Sequence, residues 1–118
     1  MRQNQLQERL FSFSVGVITG VRNLPKGKEF QVVSYQILKS ATSVGANYEE
    51  AQAAVSNADF SNKIAISLKE IRETNYWIRL ILAISSKKDV WDDLEKESME
   101  LMKILGAIHL KTRKRFNK

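Results

Sequence analysis

Residues 36–52 read QILKSATSVGANYEEAQ, and two rows of side chains run through this stretch at intervals of three and four. The apolar row consists of Ile37, Ala41, Val44, Tyr48 and Ala51. The polar row consists of Ser40, Ser43, Asn47 and Glu50. Because residues three or four apart share one face of an α-helix, the stretch predicts a helix with adjacent apolar and polar faces.

The same spacing of apolar residues extends through the rest of the sequence and is interrupted at residues 25–27, 56–59 and 85–88. Between these breaks, the spacing predicts four helices near residues 3–23, 28–54, 58–84 and 90–114. No alternating strand pattern of useful length occurs in the sequence. Four helices of similar length with short connections pack most simply up-down-up-down. The sequence therefore predicts an all-α, antiparallel four-helix bundle in a single domain over residues 1–118.

The composition excludes some classes of protein. There is no cysteine, so disulfide frameworks and thiolate metal sites are excluded. The N-terminal segment MRQNQLQERL lacks the pattern of a signal peptide, and no apolar run approaches the roughly 20 residues that a membrane span needs. We expect a cytoplasmic protein with no membrane partner.

The net charge of +6 is concentrated at the C-terminus, where five of the 19 basic residues lie in the final eight, KTRKRFNK. We treat residues 111–118 as a basic C-terminal tail, and two interpretations of it are open. Bases at the end of a helix complement the helix dipole. Alternatively, they contact phosphates of RNA or DNA without sequence specificity, with Phe116 as a ring for base stacking. The candidate contacts are Lys111, Arg113, Lys114, Arg115 and Lys118.

The polar row also has two interpretations. Such rows usually face water. However, serine and asparagine are weak helix formers, and Gly45 costs roughly 1 kcal/mol relative to alanine in the middle of a helix. Close packing against another helix would compensate, so we favour an interface. The third predicted helix has a similar polar row, which consists of Lys63, Glu70, Glu73 and Trp77.

Few residues point to catalysis or to a metal. His109 is the only histidine, and its spacing from Met102 and Leu105 favours a packed side chain. The Glu-x-x-His pairs of di-iron bundles, the Gly-x-Ser-x-Gly turn and Gly-rich phosphate loops do not occur. We predict that the protein is not an enzyme and has no cofactor and no metal.

Residues 36–80 resemble the small four-helix-bundle proteins that are encoded in intervening sequences of bacterial large-subunit ribosomal RNA genes. The most specific motifs are KS at 39–40, SVGANYEE at 43–50, DF at 59–60, Lys63, and KEIRETNYW at 69–77. That family is similar to the accessory variability determinant of diversity-generating retroelements. The resemblance implies a homopentameric ring of bundles without known catalytic activity. For the retroelement relative, it also implies a basic surface that binds nucleic acid and a reverse transcriptase.

By analogy, the resemblance implies that the two polar rows lie at or beside subunit contacts. The residues concerned are Ser40, Ser43, Asn47, Glu50, Glu70, Glu73 and Trp77. The body of the chain is nearly neutral, unlike a strongly basic ring. We therefore keep two hypotheses. The first is a non-catalytic, oligomeric accessory protein that binds RNA or DNA non-specifically through basic surfaces. The second is a structural or protein-interaction scaffold ring with a protein partner, such as a reverse transcriptase, and no direct nucleic-acid role.

Overall fold

The structure, a computed structural model, describes residues 3–86 and 88–116 and contains four α-helices. Their bounds are α1 Gln3–Arg22, α2 Lys28–Gln52, α3 Asn57–Ile84 and α4 Asp89–Phe116. Each bound lies within two residues of the prediction from the sequence, and no strand occurs in the described ranges. None of these helices combines the length and the apolar character needed to span a membrane.

The start of α3 shows how local chemistry sets a helix boundary. Ser56 is the N-cap, and its Oγ accepts a hydrogen bond of 3.0 Å from the backbone N–H of Asp59. The carboxylate of Asp59 reaches back and accepts from the N–H of Val55 at 3.3 Å. These bonds use backbone donors that a helix start leaves without partners. The break in apolar spacing at residues 56–59 is therefore a capped helix start.

The helices form a closed antiparallel bundle in which each helix contacts two neighbours. Side-chain hydrogen bonds across the four interfaces join Ser14 to the carbonyl of Ala41, Ser67 to the carbonyl of Val44, Asn75 to Ser98, and Arg9 to Glu97. The predicted apolar rows supply the core between the helices. Its fully enclosed members include Val17, Ile37, Ile64, Ile71, Ile78, Leu101 and Leu105. The four-helix fold predicted from the sequence is thus confirmed.

The α1–α4 interface depends on a glycine. A Cβ atom placed on Gly20 would lie 2.8 Å from the ring of Trp91, which is closer than carbon atoms can approach. Trp91 is 1% exposed, so its ring has no solvent space into which it can shift. Gly106 in α4 is the opposite case, because a Cβ there would meet no atom within 4 Å. The first glycine is required by packing, and the second is not.

We predict that Gly20→Ala destabilises the protein, because overpacking a core costs about 1–3 kcal/mol and outweighs the better helix propensity of alanine. Gly106→Ala is the matched control. It should raise the free energy of unfolding by about 0.5–1 kcal/mol, since alanine restricts the unfolded chain and meets no obstacle. Urea unfolding of both variants measures the two effects. If both substitutions changed the free energy of unfolding in the same direction, the conclusion that packing requires Gly20 but not Gly106 would be contradicted.

Candidate nucleic-acid interface

The basic residues at the C-terminus belong to α4 and do not form a separate tail over residues 111–116. The helix continues to Phe116, and Thr112 is half-buried with its hydroxyl bonded to the carbonyl of Ile108 at 2.9 Å. Ile108 and Thr112, both half-buried, continue the inner face of α4 by another turn, so the basic tail predicted at residues 111–118 is helical as far as Phe116. Lys111 and Arg113 are both exposed.

Of the other predicted phosphate contacts, Lys114 and Arg115 lie on the helical part of α4, but their side chains are outside the described part of the chain. Lys118 is wholly outside the described residues.

The last turns of α4 have fewer neighbours than the rest of the helix. Arg9 of α1 pairs with Glu97 of α4, and α1 begins only about two turns before Arg9. In this antiparallel register, Gln3, the first residue of α1, lies beside a part of α4 that is well before Phe116. The pair Asn75–Ser98 sets the register of α3, which places Asn57, the first residue of α3, beside the end of α4. The basic end of α4 therefore packs along the start of α3, beyond the reach of α1.

A second group of cations lies on α3 and was not singled out in the sequence. Lys69, Arg72, Tyr76 and Arg79 are all exposed and are spaced three, four and three residues apart, so they share one face. We call this group the α3 basic strip. The group is not obvious in the sequence, because Glu70 and Glu73 lie between its members and offset their charge in any sum over the segment. The helical spacing of its cations was the available signal.

The polar row of α2 is divided by the fold. Ser40 is fully buried between α2 and α3, and its hydroxyl accepts a hydrogen bond of 2.8 Å from Oγ1 of Thr74, which is also fully buried. The resemblance placed Ser40 at or beside a subunit contact. Because its side chain is enclosed within one chain, Ser40 has no surface to offer another copy, and a position beside such a contact stays a prediction.

Gly45 also packs within the chain. It is buried on the α1 side of α2, where an added Cβ would lie 3.5 Å from Cβ of Leu10 and 3.7 Å from its carbonyl oxygen. The close helix contact that we expected to compensate for this glycine is therefore the α1–α2 contact. These distances are ordinary van der Waals contacts.

The remaining residues of the row border the groove between α2 and α3 and keep exposed surface. Asn47 is half-buried and donates to both the carbonyl and the hydroxyl of Ser43, each at 2.9 Å. Nζ of Lys63 lies 3.5 Å from Oε1 of Glu50, whose side chain is 61% exposed. Such a surface pair contributes little to stability. The placement of Ser43, Asn47 and Glu50 at a subunit contact stays a prediction.

On α3, the side chains of Glu70, Glu73 and Trp77 are half-buried. Nε1 of Trp77 donates a 3.0 Å hydrogen bond to Glu73. Burial raises the pKa of the Glu70 carboxyl above its ordinary value, and the charge of Glu73 adds to the increase, while Lys69 and Lys39 of α2 oppose it. The ion pair between Glu50 of α2 and Lys63 of α3 places the polar rows of the two helices at the same groove. Their role in subunit contacts also stays a prediction.

The described residues contain no group of three or more His, Cys, Asp or Glu side chains that could hold a metal ion. His109 is half-buried on α4. The arrangement of greatest interest is therefore one of surface charge: the end of α4 and the α3 basic strip.

Comparison with known proteins agrees with the resemblance seen in the sequence. A family model described as "23S rRNA-intervening sequence protein" matches residues 2–107. A solved structure from Bacteroides thetaiotaomicron, of a protein of unknown function in the S23 ribosomal protein family, is 35% identical with a TM-score of 0.83. The match covers 92% of this chain and 98% of that one. No curated protein matches the chain. The family match stops before the last turns of α4.

We predict that the stability gained by Glu70→Gln depends on pH. Because the folded state raises the pKa of Glu70, it binds this proton more tightly than the unfolded chain does. The contribution of Glu70 is therefore fully present below its ordinary pKa of 4.5 and is lost as the pH rises through the higher folded pKa. The variant should gain stability relative to wild type over that window and keep the gain up to neutral pH. Urea unfolding between acid and neutral pH tests this, and a constant difference would contradict it.

Proposed function

The chain belongs to the family of 23S rRNA-intervening sequence proteins, and we propose that it is a cytoplasmic, non-catalytic, oligomeric accessory protein that binds RNA or DNA without sequence specificity. The observation that supports this best is the position of Lys111 and Arg113. Both are exposed on the part of α4 that extends past α1. A helix end with access from several sides suits a phosphate backbone, which presents charge without requiring a particular base.

The distribution of charge along α4 confines this contact to one end. The exposed acids Asp92, Asp93 and Glu100 lie in its first half or near its middle, whereas Lys103 and Lys111 are exposed in its second half. Acids repel phosphates and stabilise the positive, N-terminal end of the helix dipole. Bases attract phosphates and stabilise the negative, C-terminal end. The same gradient therefore serves both helix stability and the proposed contact.

An oligomer would strengthen such a contact without changing any residue. Each copy would present one basic end of α4, and a homopentamer, as the resemblance implies, would present five. After one end binds, the others experience a high effective concentration of phosphate. Weak individual contacts then combine into useful affinity.

A scaffold ring with a protein partner, such as a reverse transcriptase, is the second candidate. It is favoured by Phe11 and Val15, which lie one turn apart on α1 and are 65% and 48% exposed. Neighbouring exposed apolar side chains are typical of protein contacts. In this case a stable complex with that partner should persist after nuclease treatment.

We predict that the double variant Lys111→Gln, Arg113→Gln binds structured RNA more weakly, because it releases fewer counterions. The slope of log affinity against log salt should fall by about 0.9 for each duplex phosphate contact that is lost. The double variant Lys26→Gln, Lys28→Gln is the matched control. It removes the same charge from exposed positions before and at the start of α2. Equal slopes for the two variants in fluorescence anisotropy titrations would exclude the end of α4 from the contact.

For the oligomer, we predict that Ser43→Arg lowers the mass measured by light scattering, because a long charged side chain at the α2–α3 groove would prevent another copy from approaching. Thr42→Arg is the matched control, since Thr42 is an exposed neighbour directed about 100° away around α2. Its mass should equal that of the wild type. Circular dichroism should show unchanged helix content in both variants. An unchanged mass for Ser43→Arg would count against this interface.

A further inference from the structure

We propose that the α3 basic strip is a second nucleic-acid contact and that it binds a single-stranded segment, with the ring of Tyr76 stacked on an unpaired base. This inference rests on the proposed nucleic-acid function. It adds a site distinct from the end of α4, and it specifies the kind of strand that the site takes.

The strip is long enough to follow a strand. Lys69 and Arg79 are ten residues apart, which corresponds to about 15 Å along the helix axis. A stacked strand with one phosphate per about 3.4 Å passes four or five phosphates over that length. The three cations are exposed along this line, and the half-exposed tyrosine lies between the second and the third.

The positive charges of the strip are available for phosphate. Lys69 and Arg72 form no ion pair with any other residue that the structure describes. The two acids of this segment are half-buried: Glu73 accepts a hydrogen bond from Trp77, and the Glu70 carboxyl is influenced by Lys69 of the strip and by Lys39 of α2. Glu73 lies beside Lys69 and Tyr76 on the helix but is half-buried, so the exposed groups that an approaching strand meets are cations and one aromatic ring.

The ring of Tyr76 is held in place before any ligand binds. The rings of Trp77 and Tyr76 form a T-shaped pair, with centroids 5.0 Å apart and an angle of 76° between the planes. The guanidinium carbon of Arg79 lies 5.8 Å from the Tyr76 centroid, in cation–π geometry. Tyr76 nevertheless remains 49% exposed. Because the ring is already ordered, stacking of a base on it costs less side-chain entropy, and the affinity is higher than for a mobile ring.

The position of Arg79 is set by a polar residue in the core row of α3. Asn75 lies between Ile71 and Ile78 and is 8% exposed. Its Oδ1 accepts a 3.0 Å hydrogen bond from Nε of Arg79, and its Nδ2 donates to Ser98 of α4 at 2.9 Å. A buried amide is costly unless it is hydrogen-bonded, and here its bonds connect the core to a surface arginine.

The bond to Asn75 also orients the guanidinium of Arg79. It uses Nε, and the two terminal nitrogens form no hydrogen bond with the described residues. Terminal nitrogens in this state can bind a phosphate bidentately. Asn75 is thus a positioning residue for the strip.

The aromatic ring selects single strands over duplexes. In a duplex the faces of the bases are stacked on one another, whereas unpaired bases can stack on a protein ring. The end of α4 does not require unpaired bases, because phosphates are available for contact in both single strands and duplexes. The two sites can therefore be separated by experiment.

The test compares Tyr76→Leu with the matched control Tyr35→Leu. Tyr35 is 65% exposed on α2, outside the strip. The probes are a labelled oligouridylate of about 15 nucleotides and an RNA duplex of the same length, titrated by fluorescence anisotropy. Losing one base stack should weaken oligouridylate binding by roughly five- to hundredfold in Tyr76→Leu, with a change of less than about twofold for the duplex. Tyr35→Leu and Tyr76→Phe should both bind like wild type.

Salt dependence distinguishes stacking from charge. Tyr76→Leu should keep the wild-type slope of log affinity against log salt, and Arg72→Gln should lower the slope by about 0.7 on the single strand. Equal oligouridylate affinities of Tyr76→Leu and wild type, or equal losses in Tyr76→Leu and Tyr76→Phe, would overturn the inference and leave the proposed function standing. Failure of the wild type to bind either probe would overturn both.

Discussion

The packing of α2 against α3 through buried hydroxyl groups constrains the rest of the structure. Ser40 bonds to Thr74, and Ser67 donates to the carbonyl of Val44 at 2.7 Å. These side chains are small, so the two backbones can approach closely, and their hydroxyls need partners because they are buried. Sliding one helix by a turn would break both interhelical bonds and bring other side chains to the contact. The contact therefore fixes the register as well as the distance between the helices.

That register decides which side chains reach the surface. With Ser40 and Thr74 facing each other, Glu70 and Trp77 border the α2–α3 groove, and Arg72 and Tyr76 face solvent. The α3–α4 contact adds a second constraint through Asn75, which is bonded to both Ser98 and Arg79. The core of α3 and its outer surface are thus connected by a continuous set of hydrogen bonds. A single helix supplies the groove, part of the core and the α3 basic strip.

Charge acts locally in this protein, and its sum is a poor guide. The net charge of +6 suggests a generally basic protein, but α4 is acidic in its first half and basic at its end. The end of α4 and the α3 basic strip are separate clusters of exposed cations. At physiological salt, charges separated by more than about 8 Å are largely screened. Local clusters, and not the total, are therefore what a phosphate backbone encounters.

The sequence determined the helices and the core, because both depend on spacing along one chain. Intervals of three and four fixed the buried rows, and Ser56 with Asp59 fixed a boundary. The motifs of residues 36–80 also indicated the family. Spacing gives the angle of a residue around its own helix, but not which neighbour occupies that angle. Only the tertiary structure therefore showed that Ser40 faces α3 within the chain, that Gly45 packs on α1, that α4 extends past α1, and that Asn75 connects Arg79 to Ser98 of α4.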